Sequence, residues 1–156
     1  MVLRESIECL NSVYHCSASH IRIQREECMT VQEAIAAAEK ILPGHAVPGD
    51  ALDPRWQAVI QVGHFVPEEP EAVWPFALRW GSSEDEDLRT AVATCLLEHL
   101  LEYHFDLIFP RVEAAAKSNA YFADTTAQCW KFGEAKQPER AQRFDRLCSE
   151  IRESRI

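Results

Sequence analysis

The stretch Asp53-Pro54-Arg55-Trp56-Gln57-Ala58-Val59-Ile60-Gln61-Val62 is followed, 34 residues later and without a gap, by Asp87-Leu88-Arg89-Thr90-Ala91-Val92-Ala93-Thr94-Cys95-Leu96. Asp and Arg coincide at the first and third positions, and small or apolar residues follow at 58/92, 59/93 and 62/96. A period of that size holds one pair of packed helices, the unit of an α-solenoid.

The flanking chain reads as further helices joined by short loops. Asp53-Pro54 is a helix start, with Asp as N-cap and Pro where its missing N–H does no harm. Thr30-Val31-Gln32-Glu33 reads as a capping box that opens a helix running to Leu42, before Pro43-Gly44. Pro70 starts another helix, carrying Pro75 in its first turns and ended by Gly81. Ser83-Glu84-Asp85-Glu86 reads as a second capping box, opening a helix to about Tyr103. Further helices are expected near 105–117, bent or started by Pro110, and over 121–132, ending at Gly133. The last, from Pro138 to about Glu153, is amphipathic, with Ala141, Phe144, Leu147, Cys148 and Ile151 on one stripe. Residues 43–52 form a loop, and His20-Ile21-Arg22-Ile23-Gln24 alternates like a short strand or extended arm.

The segment Asp85-Glu86-Asp87-Leu88-Arg89-Thr90-Ala91-Val92-Ala93 resembles HEAT-type repeats, and Asp53-Pro54-Arg55-Trp56-Gln57-Ala58 resembles them in part. In that family the second helix of each pair opens with an acidic, D-x-x-V-R-like turn and continues as a small, apolar, inner-facing helix. The resemblance spans about residues 50–132; Asp124-Thr125-Thr126-Ala127 has the acid of a third copy without its Arg. It implies a curved stack of helix pairs whose concave face binds other macromolecules, usually proteins, and it implies no reaction. The expected fold is therefore all-α: a short α–α superhelix of stacked HEAT-like pairs within one domain, 1–156. Residues 1–30 add an arm or cap, and an amphipathic helix over 137–154 closes the other end.

Among 156 residues the formal charge is −9, and it is unevenly spread. Residues 66–106 hold two basic and ten acidic side chains, a net of −8, whereas 131–156 carry +2. Part of this acidity complements helix N-termini. The acidic helix starts, Glu84, Asp85, Glu86 and Asp87 with Glu68, Glu69 and Glu71, also suit a surface for a basic protein partner, of inhibitor or immunity type for example. A chain of this charge repels phosphate backbones, which disfavours nucleic acid. No window of 18 uncharged apolar residues occurs, and Glu5 and Glu8 interrupt any signal-like start, so a cytoplasmic chain off the membrane is expected.

Six cysteines without a C-x-x-C pair fit a reduced compartment better than a disulfide scaffold. Cys9, His15, Cys16, His20 and Cys28 are the group nearest to a metal set, but their spacing matches no zinc pattern. Glu98, His99, Glu102 and His104 form the most chemical-looking cluster. On a regular helix His99 falls in the middle of the apolar stripe of Leu88, Val92, Cys95, Leu96 and Tyr103, and His104 falls opposite. His99 is accordingly expected as a buried, hydrogen-bonded core histidine. The rival reading is a small metal-dependent enzyme using Glu98, His99 and Glu102. A third is a nucleobase-binding relative of HEAT-like DNA-alkylation repair proteins, with Trp56, Trp74, Trp80 and Trp130 lining a base pocket. Against it, Arg79, Arg89 and Arg111 are expected to pair with carboxylates, and the rings to fill helix joints. Phosphate-loop, dinucleotide, nucleophile-elbow and H-E-x-x-H motifs are absent, so no cofactor and no catalysis are expected.

Overall fold

The computed structural model describes residues 29–45 and 53–154. The alternating stretch at 20–24, the N-terminal Cys/His group and most of the 43–52 loop lie outside them. Among the described residues every regular element is helical. Helices α1 (Val31–Ile41), α2 (Pro54–Gly63) and α3 (Pro70–Gly81) come first. A long helix follows as α4 (Glu86–Val92), a π turn (Ala93–Leu97) and α5 (Glu98–Tyr103). Then come α6 (Phe105–Ser118), α7 (Ala120–Gln128), a 3-10 turn (Gly133–Lys136) and α8 (Pro138–Glu153).

Local chemistry sets most boundaries. The Thr30 hydroxyl accepts from the Glu33 N–H at 3.3 Å, while the Glu33 carboxylate accepts from the Thr30 N–H at 2.8 Å, a complete capping box. That bond holds the Glu33 carboxyl below its usual range. Asp53 caps α2 through the Arg55 N–H, at 2.8 Å. The cap of α4, however, is Asp85, whose carboxylate accepts from Leu88 N–H; Ser83 instead accepts from Asp85 N–H, one turn earlier. The expected Ser83/Glu86 box does not form: the helix starts two residues later, with Leu88 at the third position. Helix α7 stops at Gln128, short of 132, because Cys129 is extended and buried (9% exposed) and leads the chain across α5. Pro110 lies inside α6, whose helix continues through it.

Side-chain contacts give the directions of the helices. The start of α2 meets the start of α4 through Arg55, Asp85 and Asp87, and Gly63 at the end of α2 meets the Cys95 carbonyl. A Cβ on Gly63 would lie 2.9 Å from that oxygen, so glycine permits the close approach. Likewise Arg89 meets Asp124 and Tyr121 while Cys129 reaches the Ala93 carbonyl. Helices α2, α4 and α7 therefore run side by side in one direction. Helix α1 packs on α2 and α3, and α8 packs on α6 and α7.

The core runs through all of them: Val59, Val62, Leu96, Leu100, Phe105, Ile108 and Phe122 are fully buried. Each large side chain removed from water in this way contributes about 1.5–3 kcal/mol. Phe105 and Phe109 stack with ring centroids 4.8 Å apart, and Trp74 meets Phe122 edge-on at 5.9 Å.

The π turn changes which side of α5 is buried. It inserts one extra residue per turn, so every later residue is rotated by roughly 100° from its place on a regular helix. Leu97, Leu100 and Leu101 turn into the core, at 0%, 0% and 1% exposure. His99 and Tyr103 turn out: the His99 side chain is 42% exposed and Tyr103 is 49% exposed. The expectation of a core histidine is corrected on that ground.

Candidate functional site

The repeat generates a ladder of ion pairs. Arg55, 2% exposed, donates at 2.6 Å to both Asp85 and Asp87, and at 3.3 Å to the Gly44 carbonyl. Its counterpart Arg89, 7% exposed, pairs with Asp124 at 3.6 Å and donates to the Ser83 and Glu84 carbonyls at 2.8 and 2.9 Å. Each arginine thus reaches the acid of the following copy. Thr126 stands where a third Arg would, and its hydroxyl bonds to the Phe122 carbonyl instead. Burial works against the Asp85 charge, yet the Arg55 hydrogen bond and the α4 backbone outweigh it and hold its carboxyl below the ordinary value.

The seven acidic candidates consequently differ in kind. Asp85 and Asp87 are tied to Arg55, and Glu71 takes a two-pronged pair from Arg111 at 2.7 and 2.8 Å. Glu68, Glu69, Glu84 and Glu86 are exposed and make no ion pair among the described residues. They also fall in two places. Glu68, Glu69 and Glu71 stand at the start of α3; Glu84, Asp85, Glu86 and Asp87 stand beyond its other end. The 12 residues of α3 put about 18 Å between these groups.

On α5 the residues of the rival metal reading divide: Glu98 is tied to Trp130, while His99 and Glu102 bond to each other. Glu98 is buried (7% exposed) and accepts from the Trp130 N–H at 3.0 Å. Burial pushes its carboxyl above the usual range, an effect the Trp130 hydrogen bond offsets in part. His99 pairs through Nδ1 with Glu102 at 2.8 Å. His104, between α5 and α6, directs Nε2 at the Val66 and Pro67 carbonyls, 3.0 and 3.1 Å away. Among the described residues no three His, Cys, Asp or Glu side chains gather as a metal would require.

Nor do the tryptophans share a pocket. Trp56 donates to Asp87 at 3.2 Å, Trp74 packs on Phe122, Trp80 lies under Arg79, and Trp130 is 74% exposed. Arg79 pairs with Glu39 at 2.8 Å, and Arg111 with Glu71, as expected of cations that do not grip phosphate.

What sequence reasoning missed is a cleft of about 600 Å³ between α2 and α5, lined by Ile60, His64, Pro67, Cys95, His99 and Tyr103 with Gly63 and Thr94. The Cys95 thiol there is pushed up by burial, which Thr94 only partly opposes, the reverse of the lowering that activates a nucleophile. The spacing of Cys95, His99 and Tyr103 was visible as one stripe. Its outward direction was hidden by the π turn.

No helix among the described residues is long and apolar enough to cross a membrane. No family model, curated protein or solved structure matches the chain.

Proposed function

We propose that this chain is a non-enzymatic protein-binding module, a short HEAT-like stack of helix pairs whose acidic helix starts meet a basic partner protein in the cytoplasm. The observation that carries the reading is the Arg55 and Arg89 ladder, which joins α2, α4 and α7 in parallel. The ladder occupies Asp85 and Asp87 and leaves Glu84 and Glu86 exposed beside it. Exposed carboxylates held at a fixed helix start steer and orient a cationic surface. The burial that pushes the Cys95 thiol up favours binding over nucleophilic catalysis. The test is affinity capture from the native host with the wild-type chain and with Glu84→Lys/Glu86→Lys, at low and high salt. The reading expects a basic protein retained at low salt, released by salt and lost with the variant. Retention of an acidic protein, or of a basic one equally by both chains, would overturn it.

A further inference from the structure

We propose that the cleft between α2 and α5 seats an arginine- or lysine-bearing segment of the basic partner; this assignment rests on the binding-module reading above. The cleft is built rather than incidental. Gly63, in its lining, lets α2 approach the Cys95 carbonyl, and His104 bonds to the Val66 and Pro67 carbonyls of the loop that borders it. These bonds fix Pro67, a lining residue, and with it Glu68 and Glu69, which follow directly and are exposed.

The chemistry of the lining selects a cation. No lysine or arginine lines the cleft. His99 is held by Glu102 through Nδ1, so in its neutral form Nε2 remains as an acceptor. Tyr103 adds a half-exposed aromatic ring, a platform for a guanidinium or ammonium group. An acceptor and a ring in the lining, with two exposed carboxylates next in the chain after the lining residue Pro67, match a cationic side chain and its flanking backbone. An anionic segment would meet the like charge of Glu68 and Glu69 and find no lysine or arginine in the lining.

The probe is a fluorescein-labelled arginine–alanine repeat peptide, with a glutamate–alanine peptide of equal length as comparison. Binding to the full chain is read by fluorescence polarisation and by amide shift changes on the 15N-labelled protein. The arginine peptide is expected to bind at low salt, with shift changes centred on His64, Cys95, His99 and Tyr103. Glu68→Lys/Glu69→Lys should weaken it by about tenfold, the equivalent of 1.4 kcal/mol. Tyr103→Ala should weaken it by roughly threefold, as expected for one cation–ring contact. All three positions are exposed, and unchanged amide dispersion verifies that each variant is folded. Absence of binding, equal binding of both peptides, or shift changes that leave the cleft silent would overturn the assignment. If those changes fall instead on residues 84–87, the cleft assignment fails while the acidic-start reading stands.

Discussion

Arg55 at the start of α2 and Asp87 at the start of α4 meet at 2.6 Å, and they are the third and first positions of successive sequence repeats. The pairing means that the repeat carries the means of fastening one copy to the next. Arg55 is buried while Asp85 and Asp87 are 44% and 46% exposed, so the arginine bears the desolvation cost, which these two acids and Asp53, 3.9 Å away, offset. The same two acids that looked like a partner surface are largely structural.

Asp85 and Asp87 each hold two partners, but only Asp85 caps a helix. Asp85 accepts from Leu88 N–H as the cap of α4 and also from Arg55, whereas Asp87 takes Arg55 and the Trp56 indole. Asp85→Ala is expected to cost about 2 kcal/mol in urea unfolding, roughly 1 kcal/mol more than Asp87→Ala, because a lost cap alone is worth about 1 kcal/mol. Equal losses would remove the capping role.

Gly133 has φ +44°, and a Cβ there would lie 2.7 and 2.8 Å from the Glu102 Cγ and carbonyl oxygen. Gly133→Ala combines a left-handed backbone with a backbone clash and should lower stability by about 2 kcal/mol or more. Gly44→Ala, without a positive φ, should cost less; the two midpoints in urea decide.

Deleting Thr94 from the π turn would restore a regular helix and rotate α5 by roughly 100°. His99 and Tyr103 would then face the core and Leu97 and Leu101 would leave it. Thermal melting should show loss of the cooperative transition. A deletion variant that melts like the wild type would contradict the packing described for α5.

How much was legible follows from these residues. Thr30, Asp53 and Pro70 announce helix starts because a cap is a demand of the local backbone, which a few neighbouring residues can satisfy. The all-α architecture and the end of α1 follow in the same way. The extra residue at 93–97 was not legible, since its position depends on how α2 lies against the Cys95 carbonyl, a relation between distant segments. One missed residue reversed the placing of His99 and concealed the cleft. The ladder was half legible: the repeated arginines were plain, but nothing local says which acid each would reach.

Acid and neutral solution should separate Glu98 from Asp85. The Asp85 carboxyl titrates below its ordinary 3.8, so its contribution is complete above that value and is lost as pH falls through the lowered one. Burial raises the Glu98 carboxyl above its ordinary 4.5; its proton favours the fold, and that contribution is complete below 4.5 and lost as pH rises through the raised value. Glu98→Gln keeps an acceptor for the Trp130 N–H without the charge. It should therefore raise stability near pH 7 and change it little near pH 4, as read by urea unfolding at the two values. Equal destabilisation at both would show that the carboxylate itself is required.

The most direct measurement of the central claim is the association rate of the captured partner across ionic strength, followed by stopped flow for the wild type and for Glu84→Lys/Glu86→Lys. An acidic module meeting a basic protein gives a rate that falls steeply with salt, and the variant should associate more slowly with a flatter dependence. A rate insensitive to salt and unchanged by the two substitutions would contradict the account.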